Sequence, residues 1–145
     1  MTSIVLPGTE SASIVRGVLE TRGTARLRVR GDCMAPSVRH GESVTLVSAA
    51  LRPPRWGDIV LVACPDGIRL HRLVWSGPYR VLTKADRSGY FDPAGNPGAI
   101  LATLVDTDGA CSGKGFRRRP QTLRSLVVGA FNALRIRLRS FAETG

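Results

Sequence analysis

Ile59-Val60-Leu61-Val62-Ala63-Cys64-Pro65-Asp66-Gly67-Ile68-Arg69-Leu70-His71-Arg72-Leu73 is the stretch on which the fold turns. Two short apolar runs flank Asp66-Gly67, a dipeptide suited to the backbone that a tight hairpin needs. Trp56-Gly57-Asp58 marks the turn that leads into the first run. The pattern predicts two antiparallel strands. Upstream, Arg26 to Arg30 alternates basic residues with Leu27 and Val29, the period of a half-exposed strand, and Ser43 to Val47 is strand-like as well. Downstream, Tyr79 to Thr83 and Ala99 to Val105 continue the series across the turn-rich Asp92-Pro93-Ala94-Gly95-Asn96-Pro97-Gly98. Short strands joined by turns imply a mainly β fold, an antiparallel domain. Before it, Glu10 to Thr21 reads as a short helix with Ile14, Val15, Val18 and Leu19 on one side.

The 145 residues fit one domain with a real core. We expect a helical segment over 1–23, the β domain over 24–110, and a basic linker with a helix over 111–145. In that last part Arg117-Arg118-Arg119 and Pro120 precede a helix from about Thr122 to Phe141. Leu123, Val127, Ala130, Leu134, Leu138 and Phe141 fall on one stripe there, flanked by Arg124, Arg135 and Arg139. Such a helix either packs on the domain or a partner, or lies in a membrane interface with its arginines on anionic headgroups. The net charge of +10 makes nucleic acid a further acidic partner to weigh, although charge alone does not select it. Cys33, Cys64 and Cys111 are odd in number and form no CxxC pair or zinc-finger spacing. No disulfide framework, metal or cofactor is expected, and a reducing cytoplasm fits best. No secretory h-region or membrane span is read, so any membrane contact would be peripheral, through the C-terminal helix.

Chemistry concentrates in Arg30-Gly31-Asp32-Cys33-Met34-Ala35-Pro36 and in His71. A thiol held in a turn and an imidazole in a strand are the minimum for a nucleophile and its base. Gly31 permits an unusual backbone, Met34 and Pro36 would pack beneath the turn, and N–H groups around it could face an oxyanion. On composition alone the bland alternative is stronger, with Cys33 a small buried hydrophobe and His71 a satisfied strand residue. His40 reads as a turn residue.

The ordered blocks shift that balance. Gly31-Asp32-Cys33-Met34-Ala35-Pro36 is followed by His40-Gly41-Glu42-Ser43-Val44 and Arg55-Trp56-Gly57-Asp58-Ile59-Val60. His71-Arg72-Leu73-Val74, Thr83-Lys84-Ala85-Asp86 and Asp92-Pro93 come next. Over about residues 24 to 106 this order resembles the type I signal peptidase superfamily, which includes the self-cleaving domains of SOS-type repressors. His71-Arg72-Leu73 at the base position is similar to the Ser–His branch, the archaeal and endoplasmic-reticulum type, rather than to the Ser–Lys branches. Two positions depart from the pattern: Cys33 stands where the family has Ser, and Ala85 where it has Gly.

The resemblance implies a cysteine-nucleophile endopeptidase. Cys33 would attack a peptide carbonyl and His71 would take its proton. Asp86, with Asp92 as second choice, would orient His71, and the backbone N–H groups of Cys33 and Asp32 would receive the oxyanion. Lys84, outside the base position, is read as structural or electrostatic. An extended peptide or precursor would lie along Arg26 to Arg30 and Ile68 to Leu70, touching Arg28, Arg30, Met34, Pro36 and Arg69. The arginines would favour an acidic segment, unless they are only a solvated strand face. The alternative function is a non-catalytic peptide-binding or partner-docking module on the same fold. A DNA-bound regulator is disfavoured, because the roughly 25 residues before the β domain are too few for a helix-turn-helix.

Overall fold

The computed structural model describes residues 10–109. Helix α1 (Glu10–Arg22) precedes strands β1 (Thr24–Arg28), β2 (Ser43–Ser48) and β3 (Ile59–Cys64). Then come β4 (Gly67–Ser76), β5 (Val81–Lys84), a single 3-10 turn (Pro97–Ala99) and β6 (Ile100–Thr107). The six strands form one antiparallel sheet in the order β1-β2-β6-β3-β4-β5. The fold is thus mainly β, as the alternating runs predict. The basic linker, Cys111 and the expected C-terminal helix lie outside the described residues. Among those described, no helix is long and apolar enough to cross a membrane.

Apolar residues cover both faces of the central strands. On one face Val15 and Leu19 of α1 pack with Leu27, Val44, Leu46, Leu61 and Leu104. On the other, Val60, Val62, Leu73, Val81 and Ile100 form a second cluster. Each fully buried Leu or Val contributes about 1.5–3 kcal/mol relative to exposure, so β3, buried on both faces, anchors the domain. Of the expected helix face, Val15 and Leu19 are buried, whereas Ile14 stays 40% exposed. Gly23 ends the helix at φ +72°, and its N–H caps Leu19 O at 2.8 Å.

Three boundaries bear on function. The β3–β4 turn centres on Pro65-Asp66, one residue before the expected Asp66-Gly67, and Gly67 (φ +135°) opens β4. Strand β4 is longer than Ile68 to Leu70, because β5 pairs with its second half, from Arg72↔Lys84 onward, around a bulge between Leu73 and Trp75. Residues 67–71 therefore pair with β3 on one side and lack a β5 partner on the other. At the far end of the sheet order, β1 is the other edge.

Candidate active site

The loop after β1 is shaped by its own polar groups. Gly31 adopts φ +85°, a left-handed backbone that glycine tolerates without penalty. Its N–H donates to His40 Nδ1 at 3.0 Å, and the His40 N–H donates to Asp32 Oδ1 at 3.2 Å. His40 is thus a loop staple, in keeping with its reading as a turn residue. Met34 and Val38 are buried beneath the turn, and the Ala35–Pro36 peptide is cis. Pro36 itself is exposed, which corrects its expected packing beneath the turn, and it is not among the residues that line the groove of Cys33 and His71. Cys33 stands exposed at the crest of the loop, and its carbonyl accepts the Arg87 N–H at 3.0 Å.

His71 is buried in β4, and its Nδ1 lies 2.6 Å from Asp92 Oδ2. The same oxygen accepts the Thr83 hydroxyl, while the Asp92 N–H donates to Thr83 O at 2.9 Å. Strand β5 therefore fixes the carboxylate that faces the imidazole. A neutral ring that donates Nδ1–H to Asp92 keeps its lone pair on Nε2.

Asp86, the expected orienter of His71, is engaged elsewhere. Arg72 Nε and Nη2 each reach an Asp86 carboxylate oxygen at 2.7 Å, and the Ser37 hydroxyl donates to Oδ2 at 2.7 Å. Arg72 Nη1 also donates to Gly57 O at 2.8 Å. Neighbouring residues of a strand project to opposite faces, so Arg72 draws Asp86 to the side that His71 does not use. Asp92, the second choice, is the carboxylate on His71. The Arg72–Asp86–Ser37 cluster instead braces the Cys33 loop against β4. Thr83 falls in the Thr83-Lys84 block without a site role expected of it, and nothing in the sequence marks Ser37. Lys84 is buried and lines neither the groove nor the dyad, consistent with a structural role.

Cys33 and His71 line one groove of about 580 Å³ with Asp92. Its walls include Leu27, Arg28, Val29 and Arg30 on the β1 side and Ile68, Arg69 and Leu70 on the β4 side. Met34 and Ala85 contribute to the lining. A second cavity of about 500 Å³ shares Arg69, His71 and Asp92 and extends past Cys64. A third, about 740 Å³ between α1 and β1, is larger than either and is lined by neither Cys33 nor His71. Volume does not mark the chemistry here; the convergent polar groups do.

Although Cys33 is exposed as a residue, partial burial of the thiol in the groove raises its pKa. Its own N–H and that of Met34 favour the thiolate, while Asp92 and Asp86 oppose it, and the balance stays raised. For Asp92, burial works to raise the pKa, but hydrogen bonds from His71 and Thr83, with the charges of His71 and Arg69, hold it below the usual carboxylate value. Cys64 is also raised, first by burial. Among the described residues no cluster of three His, Cys, Asp or Glu could hold a metal ion.

The arrangement offers a thiol, a carboxylate-held imidazole and backbone donors along an open groove, the parts of a nucleophilic acyl-transfer site. Comparison with protein-family models, with curated proteins and with solved structures finds no match to this chain.

Proposed function

We propose that the chain is a cysteine endopeptidase on a signal-peptidase-like fold, cleaving an extended peptide through Cys33, His71 and Asp92. One observation carries the reading: His71, held by Asp92 at 2.6 Å, lines the groove that also contains Cys33. Cys33 Sγ attacks the scissile carbonyl carbon as its proton passes to His71 Nε2. The carbonyl oxygen takes up negative charge, opposite the N–H groups of Cys33 and Met34. The C–N bond then breaks, and His71 gives the proton to the leaving amine. Water attacks the thioester, its proton goes to His71, and the acid leaves as that proton returns to the sulfur.

The raised thiol pKa favours one type of activation. The resting sulfur is mostly protonated at neutral pH, so His71 acts as a general base during attack, rather than as half of a preformed thiolate–imidazolium pair. A free, accessible thiol in this role suits a compartment that keeps thiols reduced.

A second reading, a peptide-binding module without turnover, draws on the same raised pKa and on cysteine where the resemblance has serine. Incubating the full chain with a capped peptide library separates the two. Cleavage products from the wild type, lost in folded Cys33→Ala and His71→Ala variants, support the peptidase. Binding of the library without any new peptide termini supports the module instead.

A further inference from the structure

Arg28 ends β1, the edge strand of the sheet, and Arg30 follows two residues on, at the start of the Cys33 loop. Between them, Val29 turns both backbone groups inward: its N–H donates to Glu42 O and its C=O accepts from Gly41 N–H, each at 2.8 Å. Backbone groups alternate sides along a strand, so those of Arg28, the last residue of β1, face outward, away from β2. The side chains of Arg28 and Arg30 share one exposed face, whereas Leu27 turns into the core. Across the groove Arg69 lies on residues 67–71 of β4, the half without a β5 partner. Two unpaired strand edges, both carrying arginine, thus border one channel.

The charges in this channel do not cancel. Its lining holds Arg28, Arg30 and Arg69 against the single carboxylate of Asp92, whose Oδ2 is engaged by His71 and Thr83. Arg28 commits its Nε to Gly41 O at 3.0 Å, which leaves its two terminal nitrogens. Arg69 meets Asp66 through one terminal nitrogen at 2.7 Å. Arg30 makes no side-chain hydrogen bond or ion pair among the described residues.

We infer that this groove selects extended peptides with carboxylates at alternate positions, set opposite Arg28 and Arg30, with Arg69 adding attraction from the facing wall. The inference rests on the reading of the groove as a peptide channel. A strand added to the β1 edge places one residue beside Arg28, at a cross-strand distance of about 5 Å, and its next same-face residue toward Arg30 in the loop that follows. Adjacent carboxylates would project to opposite faces, and only one of them would meet this row. Nucleic acid is the weaker occupant, because the lining has no Phe, Tyr or Trp on which bases could stack.

The test uses the full chain carrying Cys33→Ala and three fluorescein-labelled, end-capped octapeptides, read by anisotropy at low salt. The first is Ala-Glu-Ala-Glu-Ala-Glu-Ala-Ala. The second has Gln for every Glu, and the third has the three Glu side by side. We expect the alternating acid to bind about tenfold tighter than the Gln peptide, ~1.4 kcal/mol, and about threefold tighter than the block. The advantage should fall below about twofold in a folded Arg28→Gln/Arg30→Gln variant and shrink in high salt. Equal or absent binding of all three, or an advantage that survives the double variant, overturns the inference. So does an octathymidylate that binds as tightly with the same arginine dependence. Cleavage of the same peptides by the wild type reports separately on the peptidase reading. Equal cleavage of the Glu and Gln peptides would sink acid selection alone, whereas charge-selective binding without cleavage would sink the peptidase alone.

Discussion

Arg72 grips Asp86 through a two-pronged ion pair, 2.7 Å on each arm, on the side of β4 opposite His71. The relationship divides the two carboxylates near the groove into separate tasks. Asp86 joins the Cys33 loop to the sheet through Ser37, and Asp92 orients the imidazole.

Removing the first of these should cost stability. Arg72 is almost fully buried, and Asp86→Ala would leave its charge without a partner. Breaking a buried pair in this way typically costs about 3–5 kcal/mol. A urea titration of Asp86→Ala should show a loss of at least about 3 kcal/mol. A loss under about 0.5 kcal/mol would mean that the pair does not brace the loop.

Asp92→Asn should behave in the opposite way. The amide can hold the imidazole in place but disfavours the tautomer with Nδ1–H and the imidazolium that forms in attack. We expect kcat/KM to fall by about a hundredfold or more in a variant that remains folded at neutral pH. Full activity in this variant would remove Asp92 from the site.

Asp92 also sets a pH window for stability. Burial raises its pKa, yet hydrogen bonds from His71 and Thr83 outweigh burial and leave it lowered. Below the ordinary aspartate value of about 3.9 the folded protein then binds fewer protons here than the unfolded chain. The stabilisation is complete above that value and is lost as the pH falls through the folded pKa. Between about pH 5 and pH 3, wild type should lose more stability than Asp92→Asn. Parallel curves for the two proteins would contradict the assignment.

The thiol makes a prediction of opposite sign. Burial pushes the Cys33 pKa up, so its thiolate forms at higher pH than that of a free cysteine, near 8.5. Iodoacetamide should label Cys33 more slowly than a model thiol at pH 7, with a midpoint above the ordinary value. A rate already at its plateau below pH 7 would indicate a preformed thiolate instead.

Much of this could be read from residues. The alternation at Arg26 to Arg30 and the apolar runs around Asp66-Gly67 announce strands, because a half-buried sheet demands that period. The choice between Asp86 and Asp92 was not legible from chain order, since both follow His71. It turns on side-chain parity: His71 and Arg72 face opposite ways, and a buried guanidinium claims the carboxylate on its own side. The length of β4 depends on a bulge at Leu73 and Trp75 that no local pattern marks. The packing expected of Pro36 fails because two residues past the buried Met34 the loop already turns the side chain to solvent.

The central claim is that Cys33 forms a covalent acyl intermediate while His71 moves its proton. Intact-mass spectrometry of the full chain, rapidly acid-quenched during turnover of a cleaved peptide, tests it most directly. The expected result is an added mass equal to the N-terminal fragment less water, mapped to Cys33 and absent in His71→Ala. Continued cleavage by Cys33→Ala, or an adduct mapped to another residue, would contradict it.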